Sequence, residues 1–370
     1  MSRTVGVIIF EGGDKSDGWE MRMHPYRQLL TVRTCMKFLK QPLASPVIVA
    51  TNYVDLMEEA HLAGIQIFDT SEWPEFHFGE VLARIIDAYD LKKVVCLSGP
   101  SVPLMNEDEV LDLLLSVSDG DQVVWSNNPQ SADISGFSPA SAIHRIHLPD
   151  IDNPLPGLLK DQAGLAGCLL PISVGYSFDV DTPSDLVYLT FHPDCPEPLR
   201  VMVGHEGWDR TRVSAATKVL ATENSEVFFS GRVGPWIITY INERLRFRTR
   251  VISEERGMKA LGREYDGQVH SILGTLIDLM GPDGFFEYLA SFCDAAFIDT
   301  RVVYAHWKIR ASIHDRFSSD LGLYADISDQ RIRALTLAAS RASIPVVLGG
   351  HSAVSGGLMV LIDAILRGNI

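Results

Sequence analysis

The sequence predicts an α/β protein: a doubly wound, mainly parallel sheet followed by a second, mostly helical α/β domain. Three observations carry this expectation. Through the first half, short apolar runs bounded by Gly, Pro and polar residues alternate with segments of helical spacing. The chain has 370 residues, more than a single hydrophobic core usually organises. A proline cluster, His192-Pro193-Asp194-Cys195-Pro196-Glu197-Pro198, then interrupts the pattern and sets expected domains at 1–195 and 200–370.

Val5–Phe10 reads as a buried strand ended by Glu11-Gly12-Gly13. A helix near Arg27–Leu39, a strand at Pro46–Thr51, a helix near Val54–Ala63, a short strand at Ile65–Phe68 and a helix near Phe78–Tyr89 follow. Next come a strand at Val94–Ser98, a helix at Asp108–Ser116 and a strand at Gln122–Ser126. Parallel strands need such crossover helices, which cover both faces of the sheet. Asn127–Pro171, richer in Pro, Ser, Asp and Gly, reads as a partly irregular insertion over the ligand side. A last strand is expected at Ser173–Asp179. Beyond the prolines, helical spacing marks Val213–Ala221, Gly234–Phe247, Val269–Met280 and Phe285–Cys293, with a buried strand at Ala296–Val303. The chain continues with a helix at Gln330–Ala342, a strand at Ile344–Leu348, a glycine-rich turn and a helix at Val354–Leu366. No internal repeat or low-complexity tract is evident.

Composition narrows the function. Hydrophobic residues at 46% and charged residues at 21% are ordinary globular usage, not that of a disordered chain. A formal net charge of −15 argues against nucleic acid as partner, because that affinity comes from neutralising phosphates. A phosphate-bearing ligand must therefore be held locally, by backbone amides, a metal or a few arginines. The five cysteines have no CxxC spacing and read as buried thiols of a reducing compartment. With no signal-peptide pattern and no apolar run long enough to span a bilayer, the expectation is a cytoplasmic protein without a membrane partner. Homo-oligomerisation is left open.

Three constellations in the first half carry chemistry. Gly12-Gly13 after the first strand is followed by Arg22-Met23-His24-Pro25-Tyr26-Arg27-Gln28-Leu29-Leu30; glycines admit phosphates to the backbone and arginines offer forked donors. Here the chain resembles the MobA-like nucleotidyltransferases, whose first loop runs through paired glycines to Arg-Met-Gly-x-x-Lys-x-Leu-Leu. Arg22, Met23, Leu29 and Leu30 are in register, while His24 replaces the glycine, Arg27 the lysine, and the loop is longer. The resemblance implies a loop wrapping a nucleoside triphosphate, with Arg22 and Arg27 as catalytic residues near its phosphates.

The second constellation, Leu97-Ser98-Gly99-Pro100-Ser101-Val102-Pro103-Leu104, ends the fourth strand, where open α/β sheets present ligands. The family reads Gly-Asp-x-Pro-Leu here and its aspartate holds magnesium; this chain has no carboxylate from Gly99 to Leu104. Gly99 and Ser101 are implied neighbours of the nucleotide. The third, Phe178-Asp179-Val180-Asp181-Thr182-Pro183-Ser184-Asp185-Leu186, resembles the family's Asp-Ile-Asp-Thr-Pro-Glu-Asp-Leu segment. It either caps a helix through Asp181 or Thr182, with Pro183 in the first turn, or places Asp179 or Asp181 on Mg²⁺.

In the second half, Gly349-Gly350-His351-Ser352-Ala353-Val354-Ser355-Gly356-Gly357 is a strand-to-helix turn. It either receives an anion on free amides or is a close packing turn with Ser352 as cap. Asp299, Arg301, His306 and Arg316 around the neighbouring strand make either a second ligand site with Gly350, His351 and Ser352, or a surface knitted by ion pairs.

The resemblance implies a protein that binds a nucleoside triphosphate or nucleotide-linked small molecule and, if active, transfers a nucleoside monophosphate to a phosphorylated small molecule with Mg²⁺. The alternatives are an inactive binding or regulatory protein of the same fold, and a separate enzyme in the second domain using His351, Asp299 and Arg301.

Overall fold

The structure is a computed structural model that describes residues 3–13, 18–73, 75–129, 131–258 and 261–369. The chain forms two compact units, Met1–Val180 and Asp181–Ile370. The division falls ahead of the proline cluster, because helix Pro183–Leu189 is buried among helices of the second unit.

In the first unit β1 (Val5–Phe10) is buried along its whole length, as a central parallel strand covered on both faces must be. It is followed by α1 (Gly18–Leu39), β2 (Ala44–Thr51), α2 (Val54–Leu62), β3 (Gln66–Asp69), α3 (Phe78–Ala88), β4 (Val94–Ser98) and α4 (Glu107–Asp119). Then come β5 (Val123–Ser126), β6 (Ile134–Ser138), a 3-10 turn, α5 (Leu155–Asp161), β7 (Ala166–Leu169) and the single turn α6 (Val174–Ser177). The seven strands lie in the order β3-β2-β1-β4-β6-β5-β7. Only β6 runs antiparallel to its neighbours.

Alternation along β1 feeds two cores. Val5, Val7 and Ile9 pack with Val32, Cys35 and Phe38 of α1 and with α2 and α4. Ile8 and Phe10 pack with Val81, Leu82, Ile85 and Ile86 of α3 and with α5. The sheet is therefore doubly wound, as expected. Helix α4 starts where its sequence dictates: Asn106 accepts from the Glu109 N–H (2.9 Å) and Glu109 accepts from the Asn106 N–H (2.8 Å), a capping box.

Three expectations for this unit are corrected. The supposed irregular insertion contains β6, β7 and α5; the Ser and Gly of Ile-Ser-Gly-Phe-Ser masked a fully buried strand. Ser173–Asp179 is not a strand, because Ser173 caps a helical turn by accepting from the Tyr176 N–H (3.2 Å). Helix α1 begins at Gly18, not near Arg27, and carries Pro25 inside it.

The second unit holds α7 (Pro183–Leu189), α8 (Glu197–His205), α9 (Thr211–Leu220), β8 (Glu226–Gly231), α10 (Pro235–Arg244), β9 (Arg248–Ser253), α11 (Ile272–Ala290) and β10 (Ala295–Asp299). It ends with α12 (Arg301–His306), α13 (Ile313–Asp320), α14 (Gln330–Arg341), β11 (Val346–Gly349) and α15 (Gly356–Leu366). Its four strands are all parallel, in the order β11-β10-β8-β9. Phe228, Ala296 and Ile298 form one core with α11, α12 and α14, and α9 packs on β10 and β11 from elsewhere in the unit. The unit is helix-rich, as expected, but β8 and β9 add a full parallel sheet. The expected strand Ala296–Val303 stops at Asp299, where the chain turns into α12. Among the described residues no helix is long and apolar enough to cross a membrane.

Candidate functional site

In the first sheet the chain winds from β1 outward through β2 and β3, then returns to place β4 on the other side of β1. The carboxyl ends of β1 and β4 thus flank the topological switch point, the place where open α/β sheets bind ligands. Phe10 is level with Ser98, and the Gly99 N–H donates to the Phe10 carbonyl (2.7 Å). The structure therefore brings Glu11-Gly12-Gly13 against Gly99-Pro100-Ser101. Gly12 and Gly13 are exposed, and Asn52 at the end of β2 closes on them. Its Oδ1 accepts from the Gly13 N–H (3.2 Å), and its Nδ2 donates to the Gly13 carbonyl (3.1 Å). Gly99 is obligatory by packing: a Cβ there would lie 2.2 Å from Thr31 Oγ1 and 2.7 Å from Glu11 Oε2.

Glu11 was missed by the sequence reading, although its place immediately after a buried strand and before the glycine pair is a usable signal. It is 2% exposed. Burial pushes its carboxyl up to about 7, with Arg27 opposing the shift. Arg27 Nε lies 3.1 Å from Glu11 Oε1 and forms an ion pair with it. Arg27 Nη1 donates to Glu20 (2.9 Å). Arg27 accordingly sits at the expected edge, but between two carboxylates.

The implied phosphate loop at Arg22–Arg27 is helix instead. Residues 14–17 of the preceding loop lie outside the described residues. Arg22 is exposed and stacks over Trp19, 5.0 Å from the ring centre. His24, standing where the resembling family has glycine, is buried; its Nε2 is 2.6 Å from Asp55 Oδ2 and its ring meets the Tyr53 ring at 4.2 Å. It fastens α1 to α2 and has no part in the site.

Ser101 is 2% exposed and shares a hydrogen bond with Ser98. It also forms a backbone bridge with Asp179, so the half-buried Asp179 reaches the edge of the site. Asp181 belongs to the second unit, where its N–H and that of Thr182 donate to Asp185 Oδ2 (3.1 and 2.8 Å). The segment therefore acts as a helix cap there, with Pro183 in the first turn. Mg²⁺ is generally held by one or two carboxylates together with phosphate oxygens and water. The described carboxylates at the first edge are Glu11 and Glu20, both paired with Arg27, and Asp179; among the described residues no three His, Cys, Asp or Glu side chains gather as a metal site.

The second sheet has its own switch point, between β8 and β10. Gly231 ends β8 with φ 113° because a Cβ would lie 2.4 Å from that of Asp299. Asp299, fully buried, accepts from Arg232 N–H (3.2 Å), Nε (2.6 Å) and Nη2 (3.2 Å), and from the Arg301 N–H (3.1 Å). Burial opposes its ionisation, but the Arg232 charge outweighs it and holds the carboxyl below the ordinary range. Arg301 donates to Asp320 Oδ1 (3.0 Å) and Oδ2 (2.5 Å), a forked pair with the aspartate side chain wholly buried. Gly350 lies beside it, a Cβ there falling 3.6 Å from Arg301 Nη2. Burial, then the Arg232 charge, lower His351 to about 4, so its imidazole is neutral.

Of the second-unit residues singled out, Asp299, Arg301, Gly350 and His351 converge on this edge, and Arg316 stands near Arg301. His306 does not: its Nδ1 accepts from the Ser271 N–H (3.2 Å) and its Nε2 is 3.5 Å from Asp278. Ser352 takes the capping role, accepting from the Gly357 N–H (3.1 Å), and the start of α15 is buried against Tyr188. The Gly357 amide at the opening of α15 is thus filled by a protein group. Arg232 was the residue missed here, because β8 itself went unread.

No family model and no curated protein matches the chain. Solved structures give distant likenesses. A cytidylyltransferase from Leptospira borgpetersenii is 16% identical over 55% of this chain and 94% of its own, with a TM-score of 0.41. A CMP:2-keto-3-deoxy-manno-octonic acid synthetase complexed with CTP is 14% identical over 55% of this chain and 99% of its own, with a TM-score of 0.38. A protein from Aquifex aeolicus is 15% identical over 46% and 89%, with a TM-score of 0.34. The site rests on its own geometry.

Proposed function

We propose that the first unit binds a nucleoside triphosphate or a nucleotide-linked small molecule at the switch point between β1 and β4. The observation that carries this is the junction of two glycine-bearing turns, Gly12-Gly13 and Gly99, at the carboxyl ends of adjacent central strands. The exposed Gly12 and Gly13 put no side chain in the way of a phosphate, and the ligand is held locally in a chain whose net charge of −15 repels it at long range. A buried carboxyl that titrates near neutrality at the same edge is a further mark of a functional site.

The reading favoured for chemistry is binding without rapid nucleotidyl transfer. Arg27, the residue placed to stabilise transferring phosphates, is engaged by Glu11 and Glu20, and Gly99–Leu104 supplies no carboxylate for a metal. Calorimetric titration of the full chain with CTP, UTP, GTP and ATP, each with and without Mg²⁺, should find saturable binding of at least one. Pyrophosphate release with phosphorylated acceptors should stay at background. Failure of every triphosphate to bind overturns the site; rapid Mg²⁺-dependent pyrophosphate release overturns the inactive reading.

A further inference from the structure

We propose that the carboxyl edge of the second sheet is a separate phosphate-binding site, in which Arg316 receives the phosphoryl group of a small phosphate ester beside the Arg301–Asp320 pair. It does not depend on nucleotide binding by the first unit.

The first ground is place. Parallel sheets present ligands where the winding reverses, and β8 and β10 define that point in this unit. The second is charge. Four arginines, Arg232, Arg256, Arg301 and Arg316, act at this edge of a strongly acidic chain, beside the buried aspartates Asp299 and Asp320 and with Glu264 acting on Arg316. Both aspartates are committed: Asp299 is clamped by Arg232, and Asp320 by Arg301.

The third ground is Arg316 itself. It lies on α13 one turn before Asp320, half-buried, and its Nε is buried without a hydrogen-bond partner among the described residues. Among those residues it makes no ion pair, Glu264 acting on it only from beyond ion-pair distance. Burial and the charge of Arg301 both disfavour its ionisation, so the bare protein is destabilised by keeping a guanidinium there. A dianionic phosphoryl group removes that cost, because forked guanidinium donors match its oxygens. Gly350 puts no side chain beside Arg301, and the neutral His351 stands at the same edge.

The test is titration of the full chain with inorganic phosphate, read by calorimetry and by ³¹P line broadening. Wild type should bind one phosphate saturably, and Arg316→Met should bind at least ~10-fold more weakly, a loss of about 1.4 kcal/mol. Gly12→Ala, at an exposed position and altered only in the first unit, should keep wild-type phosphate affinity. In the absence of phosphate, Arg316→Met should melt no lower than wild type, since it removes a half-buried guanidinium that makes no ion pair among the described residues; Arg316→Gln repeats the comparison with a polar chain. No saturable binding by wild type, equal affinity in Arg316→Met, loss of phosphate in Gly12→Ala alone, or a lowered melting temperature in both Arg316 variants would each overturn the proposal.

Discussion

Glu11 shows how one residue can join stability to function. Its carboxyl is raised from 4.5 to about 7, chiefly by burial, so the folded state holds a proton that the unfolded chain releases. Glu11's own contribution to folding stability is therefore most favourable below pH 4.5 and weakens as pH rises from 4.5 to 7, by up to about 3 kcal/mol. Glu11→Gln should flatten this fall in denaturant titrations at pH 5, 6, 7 and 8; an unchanged pH profile would contradict the assignment. An anionic ligand at the same edge favours the protonated form, so nucleotide affinity should be higher at pH 6 than at pH 8, and this difference should shrink in the variant. At this scale the sequence was legible for backbone and not for partners. Gly12, Gly13 and Gly99 stood out because conformational freedom is written in residue type. That Arg27 faces Glu11 and Glu20 follows from the helical path of Gly18–Leu39, and Pro25 concealed that path.

Among the elements, strands built as uninterrupted apolar runs, such as β1 and β4, were readable, whereas β6 and β8 were not. In β6 Ser and Gly are buried by the helices of both faces, a tertiary effect with no periodic trace. In α11 the reading of two helical segments survives as a kink: Gly281 has φ 70° and ψ 156°, and Pro282 follows. Only glycine adopts that backbone region without strain, and a Cβ at Gly281 would have no neighbour within 4 Å. Gly281→Ala should therefore destabilise through backbone strain alone, by about 1–3 kcal/mol, seen as a lower denaturation midpoint with unchanged slope. A neutral substitution would mean that the helix can straighten.

For the molecule as a whole, the alternation of strands and helices was enough to give a doubly wound first unit, and length was enough to require a second. Its boundary was less legible: prolines marked a break in the chain, but burial of Pro183–Leu189 decides which unit that helix joins, and burial is set by residues far along the sequence, including α15. Each unit carries its candidate site at the reversal of its own sheet, and the first of these is the one proposed to take the nucleotide. Hydrogen–deuterium exchange of the full chain, with and without the tightest-binding nucleoside triphosphate, tests this most directly. Protection should centre on residues 11–13 and 98–101, with Asn52 at its margin. Protection confined to the second unit, or none at all at saturating ligand, would contradict it.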